Sequence, residues 1–442
     1  MQTGVVEVSA RRELVLMDPA VMLTLASISY RGCNLNLSVP ADRDRVRDAI
    51  IASLNSFDKV RGQWELAWGP AGFSLDVAGL DISAMYVAHQ VADPSQIVIV
   101  VRGTNLFSLT DWASNLLIEQ RPWPYADPAH PGAMVSRSTQ LGLSFLQRLL
   151  SAAPNGATQT ASLWDNAMTW LTSHEARLQF TLLNLAARLN VPAAPEFLKP
   201  LSDRILEISR AGLSQEQAAI IDRLASALSR GPDLIDDAEL LQRVDREQQQ
   251  IAKGVSLLDF LRGCVKQVGS HLDIYVTGHS KGGPLAVALA TWLADTQGSA
   301  GAAAEQWDPD RHATIHSYTF AAPTPGNGAF ARHFQSLVSA ACRYRLFNPN
   351  DLIPHVWKVE EAQQIPTLYS GDLGFLEPLV QTALPILQPL DYQHETDDAQ
   401  WTAVPHEGNP FDQIKFNHLD AYLTQLGILG GGLQFNELFK PI

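Results

Sequence analysis

The feature that most constrains the fold is Gly278-His279-Ser280-Lys281-Gly282-Gly283, which lies between a strand pattern and a helix pattern. Residues 272–277 before it form a β-rich run, and residues 284–293 after it have helical spacing. A serine on so tight a strand-to-helix turn has strained backbone geometry, and only glycine fits comfortably two residues away on either side. The turn raises the hydroxyl above the sheet at the start of a helix, where amides stabilise negative charge. The segment therefore predicts a nucleophile elbow at Ser280.

A chance occurrence is the alternative, because the bare G-x-S-x-G pattern is short and common. The preceding strand, the following helix and the additional Gly283 favour function over chance. A phosphate-binding P-loop is excluded, because the Gly-Lys-Ser/Thr order is absent.

Strand and helix patterns alternate along much of the chain, which predicts an α/β fold with a mostly parallel sheet covered on both faces. The clearest strand is 96–101, whose apolar β-branched block is typical of a strand buried on both faces. Further strands are predicted at 82–88, 314–320 and 343–347, and helices at 255–268 and 330–338. The first seventy residues are predicted to be mainly helical.

Composition excludes several classes of function. The chain has 442 residues, of which 32 are Lys or Arg and 46 are Asp or Glu, so its formal net charge is −14. Such a surface disfavours nucleic acid and anionic membranes, whereas neutral small molecules or esters remain natural partners. With 46% hydrophobic and 18% charged residues, the chain can bury a large core.

The sequence also leads to expectations about location and metal content. Cys33, Cys264 and Cys342 are widely spaced and form no CxxC motif, so a disulfide framework is not expected. We find no secretory signal and no apolar run of membrane-spanning length, so we expect a cytoplasmic protein without a transmembrane segment. Neither a His-Glu-x-x-His motif nor a zinc-spaced Cys/His cluster occurs, so we expect no metal and no cofactor.

Four patches in order resemble the class 3 lipase family of α/β-hydrolases, the group of fungal triacylglycerol lipases and their relatives. They are Val101-Arg102-Gly103-Thr104 with Asp111-Trp112 and Asn115-Leu116, then residues 276–283, residues 319–327 and residues 348–354. A weaker fifth patch covers residues 418–423. The resemblance spans roughly residues 20–150 and 250–427, and it implies the α/β-hydrolase fold and a serine ester hydrolase.

Site residues follow from this resemblance position by position. Ser280 matches the nucleophile, and Asp351, in Asn350-Asp351-Leu352-Ile353-Pro354, matches the catalytic acid. Thr104 and Lys281 match the residues whose backbone amides form the oxyanion hole. Lys281 departs from the family, which usually has an apolar residue there, and this leaves the substrate preference near the acyl site open. In isolation Asp351 would fit a solvated turn residue, and only the ordered set favours catalysis.

The base must be chosen among 12 histidines. His279 is too close to Ser280 in sequence to reach its hydroxyl, and His355 follows Asp351 too closely. The Ser–Asp–His order of the fold then leaves His394, His406 and His418. We favour His418, at the start of a terminal helix pattern, because it resembles the family's His-x-x-x-Tyr-Leu ending; His406 is the reserve candidate.

Residues 152–250 shift to helical spacing and lie outside the resemblance. We therefore predict one catalytic domain formed by residues 1–151 and 251–442, with a helical insertion at 152–250. The insertion either roofs the acyl pocket as a cap or is a peripheral decoration or dimer surface. Residues 105–123 match the position of the fungal lid helix.

The leading hypothesis is a lipase or carboxylesterase that cleaves acylglycerol-type esters through an acyl-enzyme, with a neutral ester or lipid as its partner and transient contact with a lipid interface. A catalytically silent binding protein of the same fold is an alternative. A phospholipase A1, an acyltransferase or a serine peptidase built on the same triad also stays open.

Overall fold

The computed structural model describes residues 17–33, 35–75, 80–103, 118–152, 237–251, 253–298, 305–369, 376–396, 399–400, 406, 408, 410–429, 433, 438 and 442. The strands in chain order are β1 (Trp64–Leu75), β2 (Leu80–Gln90), β3 (Gln96–Val101), β4 (Gln120–Pro122), β5 (Met134–Ser136), β6 (Leu150–Ser151), β7 (Val255–Ser256), β8 (Leu272–His279), β9 (Ala313–Phe320), β10 (Gly326–Asn327), β11 (Arg343–Phe347), β12 (Tyr392–Gln393) and β13 (Ala399–Gln400).

The α-helices are α1 (Pro19–Ile28), α2 (Pro40–Leu54), α3 (Arg137–Leu146), α4 (Asp237–Gln248), α5 (Leu257–Val268), α6 (Gly282–Thr296), α7 (Gly328–Leu337), α8 (Val359–Ala362), α9 (Leu376–Leu387), α10 (Pro410–His418) and α11 (Asp420–Gln425). Short 3-10 turns follow the same order at Ala340–Cys342, Ile353–His355, Ile365–Thr367 and Gln388–Leu390.

A seven-stranded sheet in the order β1-β2-β3-β8-β9-β11-β13 forms the centre of the molecule. The first three strands pair antiparallel, and every later neighbour pairs parallel from β3 to β13. The carboxyl ends of parallel strands meet at one edge, which is where α/β sheets present their ligand sites. The predicted α/β fold with a mostly parallel sheet is therefore confirmed.

Both faces of this sheet are buried. Helix α6 packs on one face, with nearly every residue out of solvent, and α1 covers the other. Local chemistry starts these helices: Asp18 caps α1 by accepting the amide of Ala20, and Ser256 caps α5 by accepting that of Asp259. Strand β3 is almost wholly buried, as its apolar β-branched run predicts.

The prediction that the first seventy residues are mainly helical is wrong from Trp64 onward. Strand β1 begins there and pairs with β2, starting with Trp64 opposite Gln90. The register of this pairing shifts on either side of Trp68, because Gly69 and Pro70 interrupt the regular strand geometry. These shifts break the alternation of buried and exposed residues that identifies a strand in sequence, so the pattern emerges only after residue 72.

Strands β6 and β7 pair antiparallel, joining Leu150 to Ser256 and Ser151 to Val255. The chain segments on either side of the predicted insertion are therefore adjacent. Of that insertion, α4 lies among the described residues, and residues 153–236 lie outside them. The division into a catalytic domain and an insertion stays a prediction. Within the described part of the chain, none of the helices combines the length and apolarity needed to span a bilayer.

Candidate active site

Ser280 lies on the turn between β8 and α6, as the motif predicts. Its φ is 58°, in the left-handed region that costs a side-chain-bearing residue free energy. A Cβ on Gly278 would overlap the backbone of Gly282, and a Cβ on Gly282 would overlap the carbonyl of Val101. Glycine at both positions therefore permits the close approach that forms the turn.

The turn brings Ser280 into contact with two residues that are distant in sequence. The Nε2 atom of His418 lies 3.0 Å from Ser280 Oγ. On the other side of the ring, Nδ1 lies 2.9 Å from Oδ2 and 3.1 Å from Oδ1 of Asp351. The three residues are 7%, 5% and 0% exposed in the order Ser280, His418 and Asp351. The structure thus brings the three predicted residues together in one hydrogen-bonded chain.

The hydrogen bonds fix the tautomer of His418. A carboxylate only accepts hydrogen bonds, so Nδ1 carries the proton that faces Asp351. In the neutral ring Nε2 then has a lone pair, and it accepts the hydroxyl hydrogen of Ser280. This arrangement allows the serine to lose its proton to the imidazole during attack on a carbonyl carbon.

Tyr422 also contacts the site, and no role was predicted for it from the sequence. Its hydroxyl donates to Oδ2 of Asp351 at 2.8 Å and accepts the amide of Asn348 at 3.0 Å. Burial raises the pKa of Tyr422 well above its usual value, and the charge of Asp351 adds to this effect. The sequence signal was its position four residues after His418, in the His-x-x-x-Tyr-Leu pattern.

We expect Tyr422→Phe to lower kcat by about 10-fold or more, because a hydrogen bond to a charged group stabilises by roughly 1.5–3 kcal/mol. The measurement is kcat and KM on a p-nitrophenyl ester. Tyr86→Phe is the matched control, since its buried hydroxyl donates to the carbonyl of Leu25 at 2.7 Å, away from the site. Equal kcat in the two variants would show that Tyr422 supports packing alone.

His418 is the last residue of α10, so the expectation that it starts a helix is wrong. The next helix, α11, begins at Asp420, after Leu419 leaves helical geometry with φ −122° and ψ −77°. Asn348 holds the end of α10 by donating to both the backbone carbonyl and the side-chain oxygen of Asn417. A break of one residue is too short to alter the helical spacing on which the prediction depended.

The other candidate bases lie elsewhere. The ring of His406 stacks on Phe416 with centroids 4.1 Å apart. His355 donates from Nε2 to the backbone carbonyl of Pro349 at 2.9 Å. Nε2 of His394 lies 3.1 Å from Glu361 and 3.0 Å from Arg345. Of the candidates, His418 is therefore the one that contacts Ser280.

His394 belongs to a buried group of charged residues. Burial and the Arg345 guanidinium lower its pKa to about 4, against the opposing effect of Glu361. The pKa of Glu361 falls to about 2, because its hydrogen bonds with His394 and Lys358 outweigh burial. Glu395, also buried beside Arg345, has a raised pKa through burial.

The lowered pKa of His394 predicts that the fold loses stability in acid. The unfolded chain protonates His394 near pH 6.5, but the folded chain does so only near pH 4, so its contribution to stability is lost as pH falls through that window. His394→Gln should therefore flatten the decline in unfolding free energy between about pH 6.5 and 4.5, by on the order of 2 kcal/mol. Denaturant titrations at several pH values check this, with the partly exposed His89→Gln as control. Parallel curves for the variant and the parent would contradict it.

Of the two predicted oxyanion donors, Lys281 lies among the described residues and Thr104 does not. Lys281 directly precedes α6 and is buried, so its amide lies at the amino end of that helix beside Ser280. Thr104 and residues 105–117 of the predicted lid segment 105–123 lie outside the described residues. Gly103, the last residue before them, approaches the carbonyl of His279 so closely that a Cβ would overlap it. The oxyanion roles of Thr104 and Lys281 stay predictions.

No group of three or more His, Cys, Asp or Glu side chains within the described ranges is arranged to hold a metal ion.

Comparison with known proteins identifies a family segment and the fold. Residues 250–361 match the family model described as lipase (class 3). No curated protein matches the chain in sequence. The crystal structure of M37 lipase is 20% identical, with 96% of each chain covered and a TM-score of 0.62, a likeness that shows the fold.

Two fungal structures are also similar at lower scores. The triacylglyceride lipase of Rhizomucor miehei is 15% identical over 77% of this chain and 73% of that chain, with a TM-score of 0.33. The Lip2 lipase of Yarrowia lipolytica is 16% identical over 76% and 72%, also with a TM-score of 0.33.

The predicted resemblance is confirmed over the matched segment, which contains the elbow and Asp351. We therefore conclude that the chain has the α/β-hydrolase fold, that its residues 250–361 match the lipase (class 3) family model, and that it is a carboxylic ester hydrolase.

Proposed function

We propose that the chain hydrolyses neutral esters of the acylglycerol type through an acyl-enzyme on Ser280. The observation that carries this proposal is the continuous hydrogen bonding from Ser280 Oγ through the imidazole of His418 to Asp351. The burial of all three residues supports it, because a water-poor site strengthens the electrostatic interactions that develop during the reaction.

In the first half of the reaction Ser280 Oγ attacks the ester carbonyl carbon, and Nε2 of His418 takes the hydroxyl proton. The carboxylate of Asp351 stabilises the imidazolium that forms and holds its orientation. His418 then gives its proton to the departing alcohol, which leaves the acyl group on Ser280. In the second half His418 removes a proton from water, and the hydroxide attacks the acyl carbon and releases the acid.

The oxyanion of each tetrahedral intermediate is assigned to the backbone amides of Lys281 and Thr104. A donor of this kind typically contributes about 3–4 kcal/mol of transition-state stabilisation. The position of Lys281 directly before α6 supports its role as an oxyanion donor, because amides at the amino end of a helix stabilise negative charge. Because the amide alone is needed, the unusual side chain does not oppose this role.

Net charge favours neutral over anionic substrates. A chain with a formal charge of −14 repels anionic head groups at long range, so neutral acylglycerols fit better than anionic phospholipids. This charge argument supports acylglycerol esters over the anionic phospholipids that a phospholipase A1 cleaves.

A substrate panel tests the proposal. Fatty-acid release is measured from emulsified tributyrin and from phosphatidylglycerol vesicles, and p-nitrophenyl esters from acetate to palmitate report acyl length. We expect hydrolysis of tributyrin and of p-nitrophenyl esters, with a slower reaction on phosphatidylglycerol. Faster reaction on phosphatidylglycerol would favour phospholipase A1 activity, and failure on every ester would favour a silent binding protein.

A further inference from the structure

His279 is a buried histidine beside the nucleophile that the mechanism does not use. It ends strand β8, is 1% exposed, and precedes Ser280 directly. Its ring lies 4.9 Å from the ring of His418 between centroids, yet it makes no described contact with the hydroxyl of Ser280. Its role must therefore be sought in its own hydrogen bonds.

Both ring nitrogens of His279 have partners. Nε2 lies 2.9 Å from the backbone carbonyl oxygen of His418, which only accepts, so Nε2 carries the proton. Nδ1 then has the lone pair and accepts the hydroxyl of Tyr30 at 3.1 Å. The carbonyl of His418 thus fixes the tautomer of His279, and the Tyr30 hydroxyl donates to the remaining lone pair.

The ring of His279 is neutral in the folded protein. Burial lowers its pKa well below 6.5, and the charge of His418 acts in the same direction. A positive charge on His279 would repel the imidazolium that forms on His418 during the reaction. A neutral His279 that donates a hydrogen bond avoids this repulsion.

These contacts link the nucleophile and the base by two separate bonds. Ser280 Oγ meets Nε2 of the His418 ring, while the adjacent residue, His279, meets the His418 backbone. The carbonyl belongs to the end of α10, where helix carbonyls lose their regular amide partners. The second bond therefore fixes the end of α10 relative to the elbow.

We propose that His279 is a positioning residue that, with Tyr30, holds His418 at the distance from Ser280 that proton transfer needs. This inference rests on the proposed function of the triad. A misplacement of about 1 Å can cost on the order of 10²-fold in rate, which sets the size of the expected effect.

The test compares His279→Leu, which fills the space without a donor, with His279→Gln, whose amide can donate at the place of Nε2. We measure kcat and KM on p-nitrophenyl butyrate, and the thermal midpoint of each variant. The leucine variant should lose about 10²-fold in kcat at unchanged KM. The glutamine variant should recover most of that loss. Equal kcat in the two variants would overturn the proposal.

Tyr30→Phe keeps the test decisive if the leucine variant does not fold. Loss of the hydroxyl removes the donor to Nδ1, so kcat should fall by about 3- to 10-fold while KM stays the same. A kcat equal to that of the parent would overturn the proposal. Ser280→Ala is measured beside these variants: if it retains activity the proposed function fails, whereas its inactivity beside a fully active His279→Leu would remove the His279 role alone.

Discussion

Ser280→Ala should lower kcat for ester hydrolysis by roughly 10⁴- to 10⁶-fold, because it removes the oxygen that we propose as the nucleophile. Alanine keeps the Cβ, so the backbone strain at φ 58° is the same in the variant and the fold should persist. KM should change little, since the hydroxyl contributes to the transition state rather than to substrate binding.

Ser317→Ala is the matched control for this substitution. Ser317 lies on the neighbouring strand β9 and is 2% exposed, and its hydroxyl has no hydrogen-bond partner among the described residues. Its loss should leave kcat unchanged. Comparable losses in the two variants would mean that packing near the elbow, and not the Ser280 hydroxyl, limits activity.

Asp351→Asn should lower kcat by on the order of 10⁴-fold. The carboxylate fixes the proton of His418 on Nδ1, leaving Nε2 as the acceptor for Ser280. An asparagine is uncharged, and its NH2 group can face Nδ1. That contact would favour the opposite tautomer, in which Nε2 carries the proton and cannot take another from the serine.

Asp308→Asn serves as the control, because Asp308 is also 0% exposed and accepts hydrogen bonds from Gln297 and Ala313. It should lower thermal stability without a selective loss of kcat. Activity of Asp351→Asn within about 10-fold of the parent would contradict its assignment as the catalytic acid.

Local pattern was enough to predict the parts of the fold with strong periodicity. Strand β3 and the elbow at Ser280 lie where predicted, because a continuous apolar run and a glycine-flanked turn are local properties. The start of strand β1 at Trp64 was not predicted, because Gly69 and Pro70 interrupt the alternation of buried and exposed residues. The end of α10 at His418 was not predicted, because a one-residue break leaves the helical spacing intact.

Contacts between distant residues set the limit on predicting the site. The pairing of His418 with Asp351 came from chain order and resemblance, which indicate a role but not a distance. Tyr422 and His279 had no assigned role, because their partners are separated from them by long stretches of sequence and meet only in the folded chain. The charged group around His394 was not predicted either, because Glu361 and Arg345 are also distant from it in sequence.

We propose that one serine, Ser280, carries the acyl group during turnover. The direct measurement is peptide mass spectrometry after reaction with a p-nitrophenyl alkylphosphonate, a reagent that leaves a stable phosphonyl group on an activated serine. We expect complete inactivation with one added phosphonyl group per chain, on the peptide that contains Ser280. The Asp351→Asn variant should remain unlabelled over the same reaction time. Inactivation with the group on any other residue, or with Ser280 unmodified, would contradict this proposal.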